Sequence, residues 1–462
     1  MPKLGEETQS GMQGNGSSLI YAIYNMALNG ATPVIALYIV YRLLVMRKGL
    51  GAVRNWFGDM PKPGSNGKTK RLWVHAVSVG EVMVAQALIK MLRQLIQDAW
   101  MVLTTVTDTG NIVAKRLASE VDAVAYLPID YHWSAMRAMR IIRPNALVLI
   151  EGELWPNIIR CAKRNSSAII LANGRVSDAT YHRALTYGQP FYRTLLRQFD
   201  ALLMRTEIDA QRIISIGAEE SKVHITGDIK LDVHQLSNEE LELLRKELLM
   251  EFGIPESSLV WVAGSTHQGE EELLLEVYKR LLIHFPTLRL IIAPRHIERS
   301  SEVAALIARN RFWCVRRSSL LHGTIEPKAI SMATATPVFL LDTMGELKRI
   351  YAMSTVAFVG GSLVKRGGHN VIEPLAYGCP VVFGKHVDNF RPHAAVLQSE
   401  GVGFVVSDAD ELFGTMLKLL SSQMMRTQIR WRSKKLLQAH SGAAFRTAMH
   451  IAKLIAAQES RP

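Results

Sequence analysis

The chain has 462 residues, 48% apolar and 21% charged, which excludes wholesale disorder and suits two domains rather than one. Its 54 Lys and Arg against 41 Asp and Glu give a net charge of +13, an excess that attracts polyanions: nucleic acid, acidic lipid or a phosphorylated substrate. The three cysteines Cys161, Cys314 and Cys379 lie far apart without a C-x-x-C pair, which excludes a disulfide scaffold and a thiolate zinc site.

From the N-terminus, residues 1–18 are polar and rich in Gly and Ser, a composition that predicts disorder. No charged residue occurs from Thr8 to Tyr41, and residues 19–45 are mostly apolar, with the roughly 20 residues a helix needs to cross a bilayer. The residues before this run include Lys3, Glu6 and Glu7 rather than a basic leader, and no small-x-small cleavage site follows. A retained anchor is therefore expected, not a signal peptide. Asn25, Asn29, Gly30 and Pro33 predict a kink within it. Arg42, Arg47, Lys48 and Arg54 follow directly and place the rest of the chain on the cytoplasmic face, against acidic headgroups.

After a Pro/Gly/Ser/Lys linker at 60–70, short apolar runs alternate with amphipathic stretches. Leu72–Ala76, Trp100–Thr105, Ala146–Ile150, Ala168–Ala172 and Ala201–Met204 read as strands, with helices over Val82–Ile96 and Ser134–Ile142. A break comes at 227–240 (GDIKLDVHQLSNEE). The rhythm then restarts with Leu259–Ala263, Leu288–Ala293, Val338–Leu341, Val356–Val359 and Pro380–Phe383. The alternation predicts βαβ units on parallel sheets. The expected α/β chain has one Rossmann-like doubly wound domain at 46–226, an interdomain linker at 227–240, and a second such domain at 241–462 with closing C-terminal helices. Two such domains are expected to face a cleft at the carboxyl ends of their strands, where ligands bind.

The strand-to-helix turns share a chemical theme. His75-Ala-Val-Ser78-Val-Gly80-Glu81 ends the first run and opens a helix. Gly80 lets a ligand approach the backbone. Glu81 fits two roles: the back-bonding acid of a capping box with Ser78, or a general base for a sugar hydroxyl. Glu151-Gly-Glu153-Leu-Trp155-Pro156-Asn157 follows the run Ala146–Ile150 with two acids one residue apart, one of which can cap the helix that proline opens.

In the second half, Gly264–Glu271, Ala293–His296, Asp342–Leu347, Gly360–Ser362 and Gly367–Pro374 all sit at run ends. Ser265 and the helix N-termini offer hydroxyl and amides to an anion, Arg295 offers a fork for a phosphate, and Glu373 suits a ribose diol. Thr343 with Glu346 and Asn370 with Glu373 also fit capping boxes. Four helix N-termini at strand ends predict an anion pocket.

No G-x-x-x-x-G-K-[ST] occurs, and no G-x-G-x-x-G opens the first unit, which argues against P-loop hydrolysis and a nicotinamide dehydrogenase. Asp408-Ala-Asp410 reads as a helix cap and the histidines lack zinc spacing, so no metal site and no cofactor are assigned. The basic stretch Arg426–Lys435 around Trp431 reads as a solvated or membrane-facing surface rather than a nucleic-acid site.

In this order after one N-terminal anchor, HAVSVGE, LWPN, GDIK, GSTHQGEE, APRH, DTMGEL and GGHNVIEP closely resemble the 3-deoxy-D-manno-octulosonic acid (Kdo) transferases of lipid A assembly. The resemblance runs from about residue 19 to the C-terminus. It implies a GT-B fold, an inner-membrane location, a CMP-Kdo donor and a tetraacylated disaccharide bisphosphate lipid A precursor (lipid IVA) as acceptor. The implied reaction inverts the anomeric centre and uses no metal. By the same resemblance Glu81 is the general base at the lipid 6′-hydroxyl. Glu153, next to Leu154 and Trp155, is favoured over Glu151 as the second catalytic acid, the motif alone leaving both open. Nucleotide contacts fall on Ser265, Arg295, His296, Met344, Gly345, Glu346, Asn370 and Glu373, with Lys230, and acceptor contacts on Ser78, Gly80, Glu151 and Arg175.

The departures from the family pattern are Gly152 for Thr or Ser, GDIK for GN-x-K, TDTG at 107–110 for TPTG, and NGRVS at 173–177 for NARLS. They bear on donor and acceptor contacts, not on reaction class. The competing readings are another GT-B nucleotide-sugar enzyme, such as a uridine-nucleotide-dependent lipid-linked sugar transferase or an epimerase, and a non-catalytic membrane protein that binds lipopolysaccharide precursors.

Overall fold

The computed structural model of the chain describes residues 7–44, 52–64, 67–117, 120–233, 235–327, 330, 336–388 and 390–459. The start of the tail (1–6), the basic flank with Arg47 and Lys48, and His234 of the expected linker lie outside the described residues.

The chain divides into two compact units, Met1–Asp232 with Gly442–Pro462, and Val233–Ser441. Among the described residues the first unit holds a seven-stranded parallel sheet of β1 (Lys70–His75), β2 (Ala99–Thr105), β3 (Ala123–Tyr126), β4 (Ala146–Ile150), β5 (Ala168–Gly174), β6 (Ala201–Met204) and β7 (Val223–Ile225). Its order is β3-β2-β1-β4-β5-β6-β7, so the direction of winding reverses between β1 and β4. The central strands read as continuous apolar runs because helices cover both faces. The helix Val79–Leu95, after β1, buries Val82, Ala85, Leu88 and Leu92 with Leu72 and Val74. The helix Pro156–Arg164, after β4, buries Ile158, Ile159 and Ala162 with Trp73, Leu147 and Leu149 in the other core. The two helices flanking the reversal therefore lie on opposite faces.

The second unit repeats this plan. Its sheet comprises β8 (Val260–Thr266), β9 (Arg289–Pro294), β10 (Trp313–Arg316), β11 (Pro337–Leu340), β12 (Val356–Val359), β13 (Val381–Gly384) and β14 (Gly403–Val406), in the order β10-β11-β9-β8-β12-β13-β14 with the reversal between β8 and β12. Each unit is the Rossmann-like doubly wound domain expected from the alternation.

Three boundaries differ from expectation. The helix Ala443–Glu459 does not close the second domain but returns to the first, burying Ala443, Ala448, Ile451 and Ile455 in the core that holds Leu88 and Leu92. Asp232 accepts the N–H groups of Gly442 and Ala444, each at 2.8 Å, where the chain comes back. An apolar stripe declares that a helix must be covered but not by which sheet. Residues 227–240 are not a bare linker either: Ile229 and Leu231 are buried in a helical turn, and the helix Asn238–Glu251 has already begun. At the N-terminus, residues 7–18 belong to the helix Glu7–Gly30 rather than to a disordered tail. Once an apolar stretch has nucleated a helix, extending it costs far less than starting it.

No single helix among the described residues is long and apolar enough to cross a membrane. The segments Leu19–Gly30 and Thr32–Tyr41, bent by 48°, pass that test only as a pair. The first packs on its own unit: Tyr24 donates to Asp130 Oδ2 at 2.8 Å, and the side-chain amides of Asn25 and Asn157 pair.

Candidate active site

Ligands bind doubly wound sheets at the point of reversal, outside the carboxyl ends of the strands. In the first unit the turns at that point carry the acids singled out above. After β1 the helix begins at Val79, three residues before the predicted start, with Ser78 extended at its cap. The capping box does not form, because the Ser78 side chain caps no amide. Glu81 Oε2 instead accepts the Val77 N–H at 2.7 Å, while Oε1 receives, among the described residues, the Ser78 hydroxyl alone at 3.3 Å. One oxygen is committed to the backbone; the other faces a rotatable group. Burial, opposed by the Val77 amide and reinforced by Glu151 and Glu153, pushes the Glu81 carboxyl up to about 7. A base is most effective when its pKa lies near the working pH.

After β4, Glu151 adopts a left-handed backbone at φ 68°, uncommon for a residue with a side chain. It is fixed there by two backbone bonds, its N–H to Ala172 O at 3.0 Å and its carbonyl from Arg175 N–H at 2.8 Å. Its carboxylate meets Lys230 Nζ at 2.5 Å. A Cβ on Gly80 would stand 3.7 Å from the same Nζ, so Gly80, Lys230 and Glu151 form one cluster beside Glu81. Glu153 is exposed and acts on Glu81 less than Glu151 does. Lys230 is thus placed in the first unit, against Glu151. The GDIK turn follows β7, and there Asp228 bonds the Lys230 amide at 2.9 Å and aims the side chain at β4. Arg175 is half-buried; burial and the neighbouring Arg205 lower its guanidinium, and Glu151 acts against them.

His75 ends β1 and opens the HAVSVGE motif. It is fully buried, and Nδ1 lies 3.1 Å from the Thr104 carbonyl, which can only accept, so Nδ1 carries the hydrogen. Burial pushes the imidazole down to about 3 and keeps it neutral. Its Nε2 and the edge-on Trp155 indole N–H, with ring centroids 6.1 Å apart, have no hydrogen-bond partner among the described residues.

In the second unit the amides of the glycine-rich turn after β12 are already occupied. Glu270 is fully buried, and its two oxygens accept four backbone N–H groups: His267 at 2.9 Å, Gly361 at 2.7 Å, and Ser362 and Leu363 at 3.0 Å. A carboxylate of the protein sits where a glycine-rich turn would otherwise cradle a phosphate. The expected helix starts after Asp342 and Asn370 are short: Leu347–Ile350 with one further turn, Tyr351–Met353, and the single turn Pro374–Tyr377. Neither capping box forms: Asn370 Oδ1 accepts Ile372 N–H at 3.0 Å and its amide donates to Glu373 at 3.2 Å, while Glu346 is engaged by Thr343 and by Arg317 at 3.0 Å. Glu346 is therefore held by its own turn and by Arg317.

The groups that do face outward are side chains. Arg295 and His296 are exposed after β9, and Met344 is 86% exposed beside Gly345 at φ 84°. Burial pushes the Glu373 carboxyl up, against the pull of Asn370, Lys348 and Arg295. Ser265 adopts a left-handed φ of 55°. Next to them, His267 and His369 share an Nε2···Nε2 hydrogen bond of 2.8 Å, a pairing that sequence spacing gives no sign of. Among the described residues no group of three or more His, Cys, Asp and Glu is placed to hold a metal ion.

Residues 52–233 match the family described as 3-deoxy-D-manno-octulosonic-acid transferase (kdotransferase). Over 400 residues, 86% of this chain and 89% of the relative, the sequence is 35% identical to a 3-deoxy-D-manno-octulosonic acid transferase of Haemophilus influenzae. The crystal structure of the C-terminal CMP-Kdo binding domain of WaaA from Acinetobacter baumannii is matched over 44% of this chain and all of that one, at 30% identity and a TM-score of 0.38. That of Acinetobacter baumannii MurG is similar in fold alone, with a TM-score of 0.51 and 15% identity over 84% of this chain and 99% of that one.

Proposed function

The chain belongs to the 3-deoxy-D-manno-octulosonic acid transferase family, and from that premise we propose that it moves Kdo from CMP-Kdo to the 6′-hydroxyl of a lipid A precursor, with inversion and without a metal ion. The observation that carries the reading is the Glu81 carboxyl, raised to about 7 at the winding reversal of the first unit. Glu81 Oε1 takes the hydroxyl proton as that oxygen attacks the anomeric carbon. The bond from that carbon to the phosphate oxygen breaks through an oxocarbenium-like state, and its electron pair leaves with CMP. Glu151, held by Lys230, serves as the second acid in preference to the exposed Glu153: a fixed carboxylate keeps Glu81 basic and opposes the positive charge developing on the sugar. Ser78, Gly80 and Arg175 meet the acceptor, and the buried polar edge of His75 and Trp155 suits its hydroxyls.

Arg295, His296, Asn370 and Glu373 hold the nucleotide. The leaving phosphate gains one negative charge, which cationic side chains can meet without a divalent ion. The bent helix pair at the N-terminus, with the +13 charge, holds the enzyme at the cytoplasmic face of the inner membrane, where the acceptor is.

Mass spectrometry of the lipid formed from purified chain, CMP-Kdo and lipid IVA in vesicles tests the reading. The expected product is the acceptor plus Kdo, undiminished by EDTA, with the anomeric configuration opposite to the donor by NMR. Consumption of a uridine-linked sugar in place of CMP-Kdo would overturn it.

A further inference from the structure

Three imidazoles from three turns of the second unit lie together, two of them over one glycine. Gly361, left-handed at φ 68°, has no side chain; a Cβ there would stand 3.0 Å from the His369 ring and 3.3 Å from the His267 ring. The two rings rest on its backbone, and Glu270 holds its amide from beneath. They are parallel within 5°, their centroids 5.1 Å apart, and His296 stands edge-on to His267 at 5.7 Å. Across the 2.8 Å contact one Nε2–H donates and the other Nε2 accepts. The donating ring is then left with a basic Nδ1.

The charges around the pair are of one sign on the open side. Arg295, Arg299, Arg366 and His296 all act on His267, and Arg295 and His296 on His369. The nearby carboxylates are turned to other partners: Glu270 to four amides, Glu271 to Arg299 at 2.9 Å and to Thr266, Glu373 to Asn370. Burial first, then these cations, push His369 down to about 4 and His267 below its usual range, so both rings are neutral at pH 7 without an anion present.

We propose that the His267–His369 pair is a proton-coupled phosphate-binding element, which takes up one proton as an anionic phosphate ester docks beside it. The inference rests on the reading that the second unit holds the nucleotide. With the four amides of the turn spent on Glu270, side-chain cations must supply the charge. A neighbouring anion favours the protonated imidazole. The incoming proton enters the basic Nδ1 of the donating ring, and its charge is shared with the partner through the Nε2–H···Nε2 bond. When the sugar–phosphate bond breaks, the phosphate goes from one negative charge to two, and the imidazolium already stands against it. The proton returns to solvent when the product leaves.

The sign of the pH dependence follows. Docking takes up a proton, so affinity is highest below the pKa of the free pair, falls by up to about tenfold per pH unit between the free and the bound pKa, and levels off above the pKa of the bound pair. Calorimetric titration of the full chain with the methyl ester of CMP, a phosphodiester of constant charge from about pH 6 to 8.5, separates this from titration of the phosphate itself. Run in buffers of different ionisation enthalpy, it should report uptake of about one proton and at least about tenfold weaker binding at pH 8 than at pH 6. His369→Asn and His267→Asn should each remove the uptake and flatten the profile, while binding at pH 8.5 stays within a few-fold of the parent chain. Binding of the cytidine ester without proton uptake, or uptake that survives both substitutions, overturns the inference and leaves the nucleotide reading standing. If a variant is too unstable to titrate, the buffer series on the parent chain decides. Failure to bind the cytidine ester, or preference for a uridine ester, overturns the nucleotide reading and this inference with it.

Discussion

Lys230 Nζ lies 2.5 Å from the Glu151 carboxylate and tethers the turn after β7 to the turn after β4. Glu81 is close enough to be raised by Glu151, so this ammonium is what lets two carboxylates occupy one corner of the sheet. Removing it should leave Glu151 without its counter-charge and raise Glu81 further. Lys230→Met is expected to move the acid limb of the pH–rate profile upward from about 7, lowering transfer at neutral pH with partial recovery near pH 9. A profile that scales down without shifting would show that Lys230 acts elsewhere.

Glu81→Gln removes the base but keeps the shape. Transfer should fall by about 10²–10⁴, the usual worth of a positioned base, with binding of the cytidine ester unchanged. Stability gives a second readout. A carboxyl raised from 4.5 to about 7 on folding contributes stability that is present below pH 4.5 and lost as pH rises through 7. The glutamine variant has no such loss, so its Tm relative to the parent chain should be higher at pH 8 than at pH 5. Near-normal turnover would return Glu81 to a purely local role on the Val77 amide.

The sheets were legible in the sequence from the middle outward. Every central strand coincides with an apolar run, and the four strands that no run marked, β3, β7, β10 and β14, are the outer members of the two sheets. β3 and β10 bury one residue in four and β7 none, so nothing forces a continuous apolar run on them. The acids of the first unit were legible for a related reason: Glu151 directly follows the central strand β4, Glu81 lies in the first turn of the helix after the central strand β1, and the reversal of winding brings those two strands together. Lys230 and the His267–His369 pair were not. Their partners come from turns distant in the chain, 102 residues apart for the histidines, and only strand order sets them side by side. The return of the helix Ala443–Glu459 to the first unit is the same kind of fact.

Gly264, the first glycine of GSTHQGEE, is there for space. A Cβ on it would stand 2.0 Å from the Tyr351 hydroxyl, and Tyr351 is fully buried. Gly264→Ala should destabilise the second unit by about 1–3 kcal/mol, the cost of overfilling a packed interior. Tyr351→Phe removes the clashing oxygen and leaves the ring carbon at 2.9 Å, so the double variant should recover part of that loss. Denaturant unfolding of the four chains checks the coupling; additive losses would place the strain elsewhere.

Tyr24 belongs to the N-terminal helix, yet its hydroxyl bonds Asp130, a buried acid that also accepts the Asn157 and Ile158 amides at the start of the helix after β4. The segment is thus part of the first unit's packing as well as the expected membrane attachment. Tyr24→Phe should cost about 1 kcal/mol, a typical buried hydrogen bond, and lower the Tm of the first unit without weakening sedimentation with acidic vesicles. Loss of vesicle binding in parallel with the Tm would mean that the attachment depends on this bond.

The sharpest test of the domain assignment is to end the chain at Ser441. The helix Ala443–Glu459 buries Ala443, Ala444, Ala448, Ile451 and Ile455 in the first unit's core. Truncating a single buried isoleucine costs about 2–5 kcal/mol, and a domain is stable by only about 5–15 kcal/mol in all. Losing the whole helix should therefore unfold the first unit. The second unit ends before the cut and keeps its own sheet and core. Hydrogen exchange on the shortened chain should show protection collapsing across β1, β4 and β5 and persisting across β8, β9 and β12, with the cytidine ester still bound. If the closing helix instead belonged to the second unit, as residues 241–462 read from the sequence, the loss of protection would fall on β8 and β12 and the first sheet would survive.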